Sequence, residues 1–134
     1  MKTIKTMFIF ALMVFAGSQA YAQYTGPGAE PKTLTVKEIH SNASKLDRSD
    51  ALVSIRGYIT EKINEEDYWF SDSTGKIKVE IDRKRLPSVP FNDKTEVVLK
   101  GEVDYDLLEG VEVEVKFFEF TDPAMNGIQK QEMK

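Results

Sequence analysis

Hydrophobic and polar residues alternate along short segments of the chain, and this alternation is its main structural signal. Every second residue from 77 to 81 is apolar, with polar residues between. In the segment before it, Tyr68 and Phe70 share one face and Trp69 lies on the other. Such alternation predicts strands with one buried and one solvated face. Residues 72–75 between them have Asp at the first turn position and Gly at the fourth, which predicts a tight hairpin.

Three further segments alternate in the same way: residues 51–63, 95–103 and 111–117. Gly57 and Gly101 interrupt the first two of these, and a glycine inside a strand is typical of a bulge or a sharp bend. The residues predicted to face inward on the three strands are Val53, Ile55, Ile59, Val97, Leu99, Val103, Val111, Val113, Val115 and Phe117.

A short helix is predicted before the first long strand. Residues 35–38 read Thr-Val-Lys-Glu, a capping box in which the Thr35 hydroxyl and the Glu38 carboxylate each accept a backbone N–H of the other residue. Val36, Ile39 and Ala43 then fall on one side of the helix. The polar residues 45–50 are interpreted as a connector.

Five strands and one short helix predict an all-β fold, a five-stranded antiparallel OB-fold barrel, because closure removes the exposed strand edges that promote aggregation. An open antiparallel sheet or a small sandwich is the alternative. The barrel domain is assigned to residues 34–120. Residues 23–33, rich in Gly and Pro, are expected to be a flexible lead-in, and the polar residues 121–134 are expected to be a disordered tail.

Residues 1–22 are interpreted as a signal peptide, because two lysines precede an apolar run at residues 7–16 and a small-x-small site at residues 20–22. The apolar run is too short to span a membrane. The chain has no cysteine, which excludes a lipoprotein. Removal of this segment takes away two lysines and no acids, so the net charge changes from −4 to −6. This balance disfavours nucleic acids and anionic membranes as partners.

OB barrels bind ligands on the face of their second and third strands, between the loops that join strands 1 to 2 and 4 to 5. In this chain those loops correspond to residues 63–67 and 104–110. Trp69 on the expected face could stack on a base, a sugar or a cation, or could simply cover apolar surface. The candidate ligand-binding residues are Arg56, Tyr58, Trp69, Lys78, Glu65, Glu66, Asp67, Asp104 and Asp106.

Catalysis, a cofactor and a dedicated metal site are not expected. The carboxylates do not form a separated acid and base in different environments, as glycoside hydrolysis requires. His40 is the single histidine and has no second His or Cys to complete a metal site. Asp104 and Asp106 lack the Gly and Glu spacing of a calcium loop, although weak cation binding by the acidic loops stays open. The basic cluster Arg83, Lys84 and Arg85 could hold an acidic partner or could be a solvated loop.

Taken in order, the strand and turn motifs resemble a known family, the small exported bacterial OB-fold (BOF) proteins of the YgiW/YdeI stress-tolerance group. The resemblance covers residues 25–120 and lies in G-x-I at 57–59, Y-x-F-x-D-x-T-G at 68–75, I-x-V-x-I-D at 77–82, G-E-V-D at 101–104 and V-E-V-E-V at 111–115. It implies a periplasmic, non-enzymatic barrel that contributes to envelope stress tolerance by binding a small or cationic ligand. The alternative is an adaptor that docks on an envelope protein such as a porin.

The basic cluster and the length of the polar tail depart from what the family leads us to expect, and both bear on the identity of the partner.

Overall fold

The structure is a computed structural model that describes residues 30–132, so the predicted signal peptide and residues 23–29 of the lead-in lie outside the described residues. A 3₁₀ turn at Arg83–Arg85 follows β4. The helices and strands are β1 (Lys32–Thr33), α1 (Val36–Ser41), α2 (Ala43–Ser49), β2 (Leu52–Lys62), β3 (Asp67–Asp72), β4 (Gly75–Glu80), β5 (Glu96–Asp106), β6 (Gly110–Phe120) and α3 (Pro123–Glu132).

Strands β2 to β6 close into a five-stranded barrel. The sheet order is β1-β2-β3-β4-β6-β5, and an additional antiparallel pairing of β2 with β5 joins its two sides. Four of the five barrel pairings are antiparallel, and β4 pairs with β6 in parallel. This closure confirms the OB-fold prediction and excludes an open sheet or a sandwich. β1 adds a short parallel pairing at the start of β2.

The alternation pattern predicts most of the core correctly, with one error on β6. All predicted inward residues on β2 and β5 are buried, as are Val113 and Val115. Phe117 is instead 52% exposed, while Phe118 and Phe120 are buried. Lys100 pairs with Phe117 but Gly101 pairs with Val115, so β6 carries one extra residue at this point. A bulge of one residue moves every following side chain to the opposite face, which a strict period of two does not anticipate.

Both strand glycines mark places where two backbones approach closely. A Cβ at Gly101 would lie 2.1 Å from the Glu114 carbonyl oxygen, beside the β5–β6 bulge. A Cβ at Gly57 would lie 2.3 Å from the carbonyl oxygen of Ser71. The bulge in β2 lies beyond Gly57, between Ile59 and Glu61. Gly57 is therefore required by close packing against β3 and does not itself form the bulge.

Helix α1 is fastened to the β3–β4 turn. The predicted capping box between Thr35 and Glu38 is present. In addition, the Val36 N–H donates to Asp72 Oδ2 at 2.8 Å, and the Lys37 N–H donates to Thr74 Oγ1 at 3.0 Å. Val36 and Ile39 are fully buried. The turn that joins two barrel strands therefore also caps the helix that covers the barrel.

Two segments predicted to lack regular structure are helical. Residues 45–49 form most of α2, with Asp50 as its C-cap, and Leu46 of this helix packs against the core. The expected disordered tail contains α3, and Asn126 from this helix forms two hydrogen bonds with β6. Its Oδ1 accepts from the Phe120 N–H at 2.9 Å, and its Nδ2 donates to the Phe120 carbonyl at 2.7 Å. The side-chain amide thus replaces a neighbouring strand at the edge of β6. No helix within residues 30–132 has the length and apolarity needed to span a membrane.

Candidate functional site

The outer surface of β3, β4, β6 and β5 carries two adjacent rows of polar side chains. In the first row, cross-strand pairing places Trp69 beside Lys78, Lys78 beside Glu112, and Glu112 beside Asp104. The second row contains four acids, and we refer to all six carboxylates of the two rows as the acidic face. The acidic face consists of Asp67, Glu80, Glu102, Asp104, Glu112 and Glu114.

Carboxylate oxygens of Asp67, Glu80 and Glu112 lie within 4.8 Å of one another. Burial raises the pKa of Glu80 above its ordinary value, and the neighbouring Glu112 and Glu114 raise it further. Lys78 offsets part of this charge through an ion pair with Glu112 at 3.1 Å, and this hydrogen bond raises the lysine pKa. Six acids in two rows nevertheless exceed the cations beside them, so this surface attracts positive charge.

A pocket of about 340 Å³ opens next to Trp69. It lies where the β4–β6 ladder, limited to residues 78–80 and 112–114, gives way to α1. There His40 Nε2 donates to the Lys76 carbonyl at 2.9 Å. We call this cavity the Trp69 pocket, and it is lined by His40, Ala43, Trp69, Ile77, Lys78, Tyr105, Glu109, Gly110 and Val111. Its lining combines apolar and aromatic walls with one lysine and one carboxylate.

Trp69 already holds a cation on its ring. The Lys76 ammonium nitrogen lies 4.6 Å from the ring centroid, within the range of a cation–π interaction. Trp69 itself is half-buried and lines the pocket, so it both covers apolar surface and presents part of its ring. Stacking on a cation, one of the roles considered for Trp69, is therefore realised within the chain itself.

The structure brings five of the predicted ligand-binding residues into one region. Trp69 and Lys78 lie side by side, and Asp67 lies two residues before Trp69 on β3. Asp104 and Asp106 line a small acidic recess that also contains Lys78, Glu109 and Glu112. The predicted binding face, on the second and third barrel strands (β3 and β4), thus extends across β6 to β5.

The other four predicted residues are engaged elsewhere or lie outside the pocket. Arg56 forms an ion pair with Glu96 at 2.7 Å, and the Tyr58 hydroxyl donates to the same carboxylate at 3.5 Å. Glu65 is bound by Arg83, which lowers the pKa of the carboxyl group. Glu66 is exposed on the loop between β2 and β3 and does not line the pocket. The ion pair between Glu65 and Arg83 also engages one of the three cations of the basic cluster at residues 83–85.

Several residues of the site are missing from the set predicted from the sequence. Lys76 could have been found, because the turn at residues 72–75 fixes a register that places Lys78 opposite Trp69 and Lys76 two pairs away on the same face. Tyr105 could also have been found, because it lies within residues 104–110, the loop expected to frame the site. Glu112 and His40 could not, because they reach the site through the parallel β4–β6 pairing and the docked helix. These contacts join distant parts of the chain and leave no local signal.

The β5–β6 turn forms the rim of the pocket and carries two exposed leucines. Asp106 Oδ1 accepts from the N–H groups of Leu108 at 2.7 Å and Glu109 at 3.1 Å, which lowers the pKa of Asp106. Gly110 closes the turn with a φ of +88°. Leu107 and Leu108, which we call the leucine tip, are 87% and 97% exposed.

Comparison with known proteins agrees with this architecture. Residues 15–120 match the family model described as Bacterial OB fold (BOF) protein. The chain is 43% identical over 119 residues to the "Calcium-regulated OB-fold protein CarO" of Pseudomonas aeruginosa, covering 89% of this chain and 97% of that protein. It is 42% identical over 74 residues to Protein YgiW of Escherichia coli, covering 55% of this chain and 56% of YgiW. The solved E. coli YgiW structure superposes with a TM-score of 0.57 at 35% identity, covering 75% of this chain and all of that one.

Proposed function

The chain belongs to the bacterial OB-fold (BOF) family, and we propose that it is an exported, periplasmic, non-enzymatic binding protein for a small cationic ligand, acting in envelope stress tolerance. The proposed binding surface is the Trp69 pocket together with the adjoining acidic face. The family resemblance supports the stress-tolerance role, and the pattern of residues 1–22 supports export.

The observation that carries this proposal is the combination of an aromatic ring that accepts a cation with clustered carboxylates beside it. The position of the Lys76 ammonium group, 4.6 Å from the centroid of the Trp69 ring, supports this combination. The raised pKa of Glu80, caused by burial and then by neighbouring carboxylates, indicates negative charge that a bound cation would relieve. The same charge disfavours nucleic acid, because phosphate would approach six carboxylates.

The pocket favours an organic cation with an apolar part. Ala43, Ile77 and Val111 supply apolar surface, while Glu109 at the rim supplies a carboxylate. A linear polyamine or a lysine side chain of a cationic peptide has both features, an ammonium head and a methylene chain. Since CarO is described as calcium-regulated, calcium is a further cation to test on this chain.

The proposal is tested by titrating residues 23–134 with spermidine, a lysine-rich peptide, calcium and neutral cell-wall sugar fragments. Trp69 is the single tryptophan, so its fluorescence reports on one place. We expect a saturable change with spermidine or the peptide that weakens as salt rises. Glu80→Gln is expected to reduce the affinity by about fivefold, from the loss of a charge contact worth about 1 kcal/mol.

Two variants sharpen this experiment. Glu65→Gln removes a carboxylate that is bound by Arg83 on the neighbouring loop and is expected to leave the affinity unchanged. Lys76→Met removes the cation already on the Trp69 ring and is expected to raise the affinity for spermidine about threefold, in line with a weak exposed cation–π contact. If no cation changes the fluorescence of folded wild type or of Lys76→Met, the proposed function is wrong.

A further inference from the structure

The leucine tip is the most exposed large apolar feature within the described residues. Ile63, just after β2, and Phe117, on β6, are also exposed, but neither has an exposed large apolar residue next to it in the sequence. Single exposed apolar residues are normal on proteins, but adjacent ones held in contact with water are typical of an interaction site. Two neighbouring leucines at a turn gain free energy only when another surface covers them.

The tip is held in a fixed shape. The β5–β6 pairing continues through Tyr105 with Val111 and Asp106 with Gly110, directly up to the turn. Asp106 then fixes the turn through its hydrogen bonds to the next backbone N–H groups. β4 pairs with β6 only over residues 78–80 and 112–114, so the last pairs of the hairpin extend beyond that ladder. Because these bonds already fix the backbone of the turn, binding of a partner would cost little backbone entropy at the tip.

The charges around the tip restrict the partner. Asp104, Asp106, Glu109 and Glu112 surround the recess at the base of the tip, and Lys78 is the cation among its lining residues. Anionic lipid headgroups would meet these carboxylates and be repelled. A positively charged protein surface would be attracted, and a pair of projecting side chains fits a concave site.

We infer that the leucine tip docks into an apolar pocket, rimmed by lysine or arginine, on a partner protein. Leu107 and Leu108 fill the pocket, and the carboxylates of Asp104 and Glu109 face the basic rim. This inference goes beyond the binding of a small cation, because Leu107 and Leu108 line neither the Trp69 pocket nor the acidic recess. Asp104 and Glu109 serve both surfaces, so the leucine variants are the ones that separate the two activities.

The contact is tested by placing a benzophenone amino acid at position 108 of the full chain in cells that export it, with position 117 as the control. Phe117 is exposed and apolar and lies on the same hairpin, far from the tip. We expect an adduct at 108 that is absent at 117. Mass spectrometry of the adduct should place the cross-link in an apolar site flanked by Lys or Arg on a different protein.

Binding is then measured between the two purified proteins. The Leu107→Ser, Leu108→Ser double variant is expected to weaken affinity about tenfold or more, as for hot-spot residues. Asp104→Asn with Glu109→Gln is expected to weaken it several-fold and to reduce its salt dependence. Leu52→Ser, at an exposed leucine that pairs with Glu102 at the start of β2 and lies outside the β5–β6 turn, is the control and should have no effect.

The inference is overturned by any of four results. These are the absence of an adduct specific to position 108, an adduct with a second copy of the chain, an adduct with a partner whose affinity the leucine variant does not change, or tip-dependent binding to vesicles. The vesicles contain phosphatidylglycerol and phosphatidylethanolamine, and binding that the serine variant abolishes would assign the tip to a membrane. Each serine variant is first shown to unfold at the wild-type denaturant midpoint, so that a lost contact is not confused with a lost fold.

Discussion

The β3–β4 turn and the β5–β6 turn use the same local chemistry for opposite purposes. Each begins with an aspartate, Asp72 or Asp106, whose Oδ1 accepts the backbone N–H groups two and three residues later. The first turn also holds helix α1, because Asp72 Oδ2 accepts from the Val36 N–H. The second has bonds from Asp106 only to its own backbone and exposes its leucines. The same aspartate cap is therefore found in a turn that a helix covers, the closed turn, and in a turn that exposes its side chains, the open turn.

The difference between the turns comes from what packs on them. At the first turn, Val36 of the helix is fully buried and lies 3.6 Å from the position of a Cβ at Gly75. At the second, a Cβ at Gly110 would meet nothing within 4 Å. The closed turn is thus constrained by its neighbours, whereas the open turn is constrained only by its own backbone.

Substituting the two aspartates should give the largest contrast. Asp72→Ala is expected to lower the free energy of unfolding by about 2–3 kcal/mol, because it removes the acceptor for the turn and for the helix N-terminus together. Asp106→Ala, at a fully exposed turn, should shift the urea midpoint far less. Equal shifts for the two variants would show that the helix contact contributes nothing.

Substitution of the turn glycines, Gly75 and Gly110, should give a smaller loss of stability than substitution of Asp72. Here the exposed β5–β6 turn should be the more sensitive of the two. Gly110→Ala places a side chain at a φ of +88° and is expected to cost about 1 kcal/mol. Gly75→Ala meets Val36 at an ordinary contact distance and should change stability by less than about 0.5 kcal/mol. Thermal unfolding of both variants and of the wild type measures these changes in stability. A Gly75→Ala cost as large as that of Gly110→Ala would mean that the closed turn also depends on glycine.

The β3–β4 turn and most of the barrel could be predicted from the sequence, because their signals are local. The side-chain oxygen of Asp72, the capping box at Thr35 and the alternation of Ile77 and Val79 each act over a few residues. Phe117 could not be placed, because the extra residue on β6 is set by the close approach of Gly101 to β6. Helix α3 could not either, because its contact with β6 runs through the Asn126 side chain.

The site was predicted less completely than the fold for the same reason. Trp69 and Lys78 meet across one hairpin, so the register of that hairpin finds them. Arg56 and Tyr58 have the correct outward orientation, but Glu96 on β5, about 40 residues later, binds both. A polar residue on an outer face becomes part of a site or of an ion pair according to its non-local neighbour, and periodicity does not contain that information.

The last and smallest contrast is between the pKa of Asp72, in the β3–β4 turn, and the pKa of Glu80, on the acidic face. Burial opposes the ionisation of Asp72, but hydrogen bonds from Thr74, Val36 and Gly75 outweigh it, and the pKa of this carboxyl group is lowered. For Glu80 burial and neighbouring carboxylates act together, and its pKa is raised above 4.5. Ionisation of Asp72 therefore stabilises the fold, and ionisation of Glu80 destabilises it.

Glu80→Gln is accordingly expected to increase the free energy of unfolding at pH 7 by about 0.5 kcal/mol, a value kept small by solvent screening. Because the pKa of Glu80 is raised in the folded state, ionised Glu80 destabilises the wild-type fold, and it does so only at pH values where the carboxyl group is ionised. The advantage of the variant should therefore shrink as pH falls through the raised pKa and vanish below 4.5, where the carboxyl group is neutral in both states. Urea unfolding of both proteins from pH 7 to pH 4 measures the difference.

An advantage of the variant that persists at pH 4 would attribute the effect to packing. The absence of an advantage at pH 7 would show that the cations beside the acidic face already neutralise the charge of Glu80. A variant that gains stability while losing affinity for spermidine would indicate that this carboxylate is retained for binding at a cost to the fold.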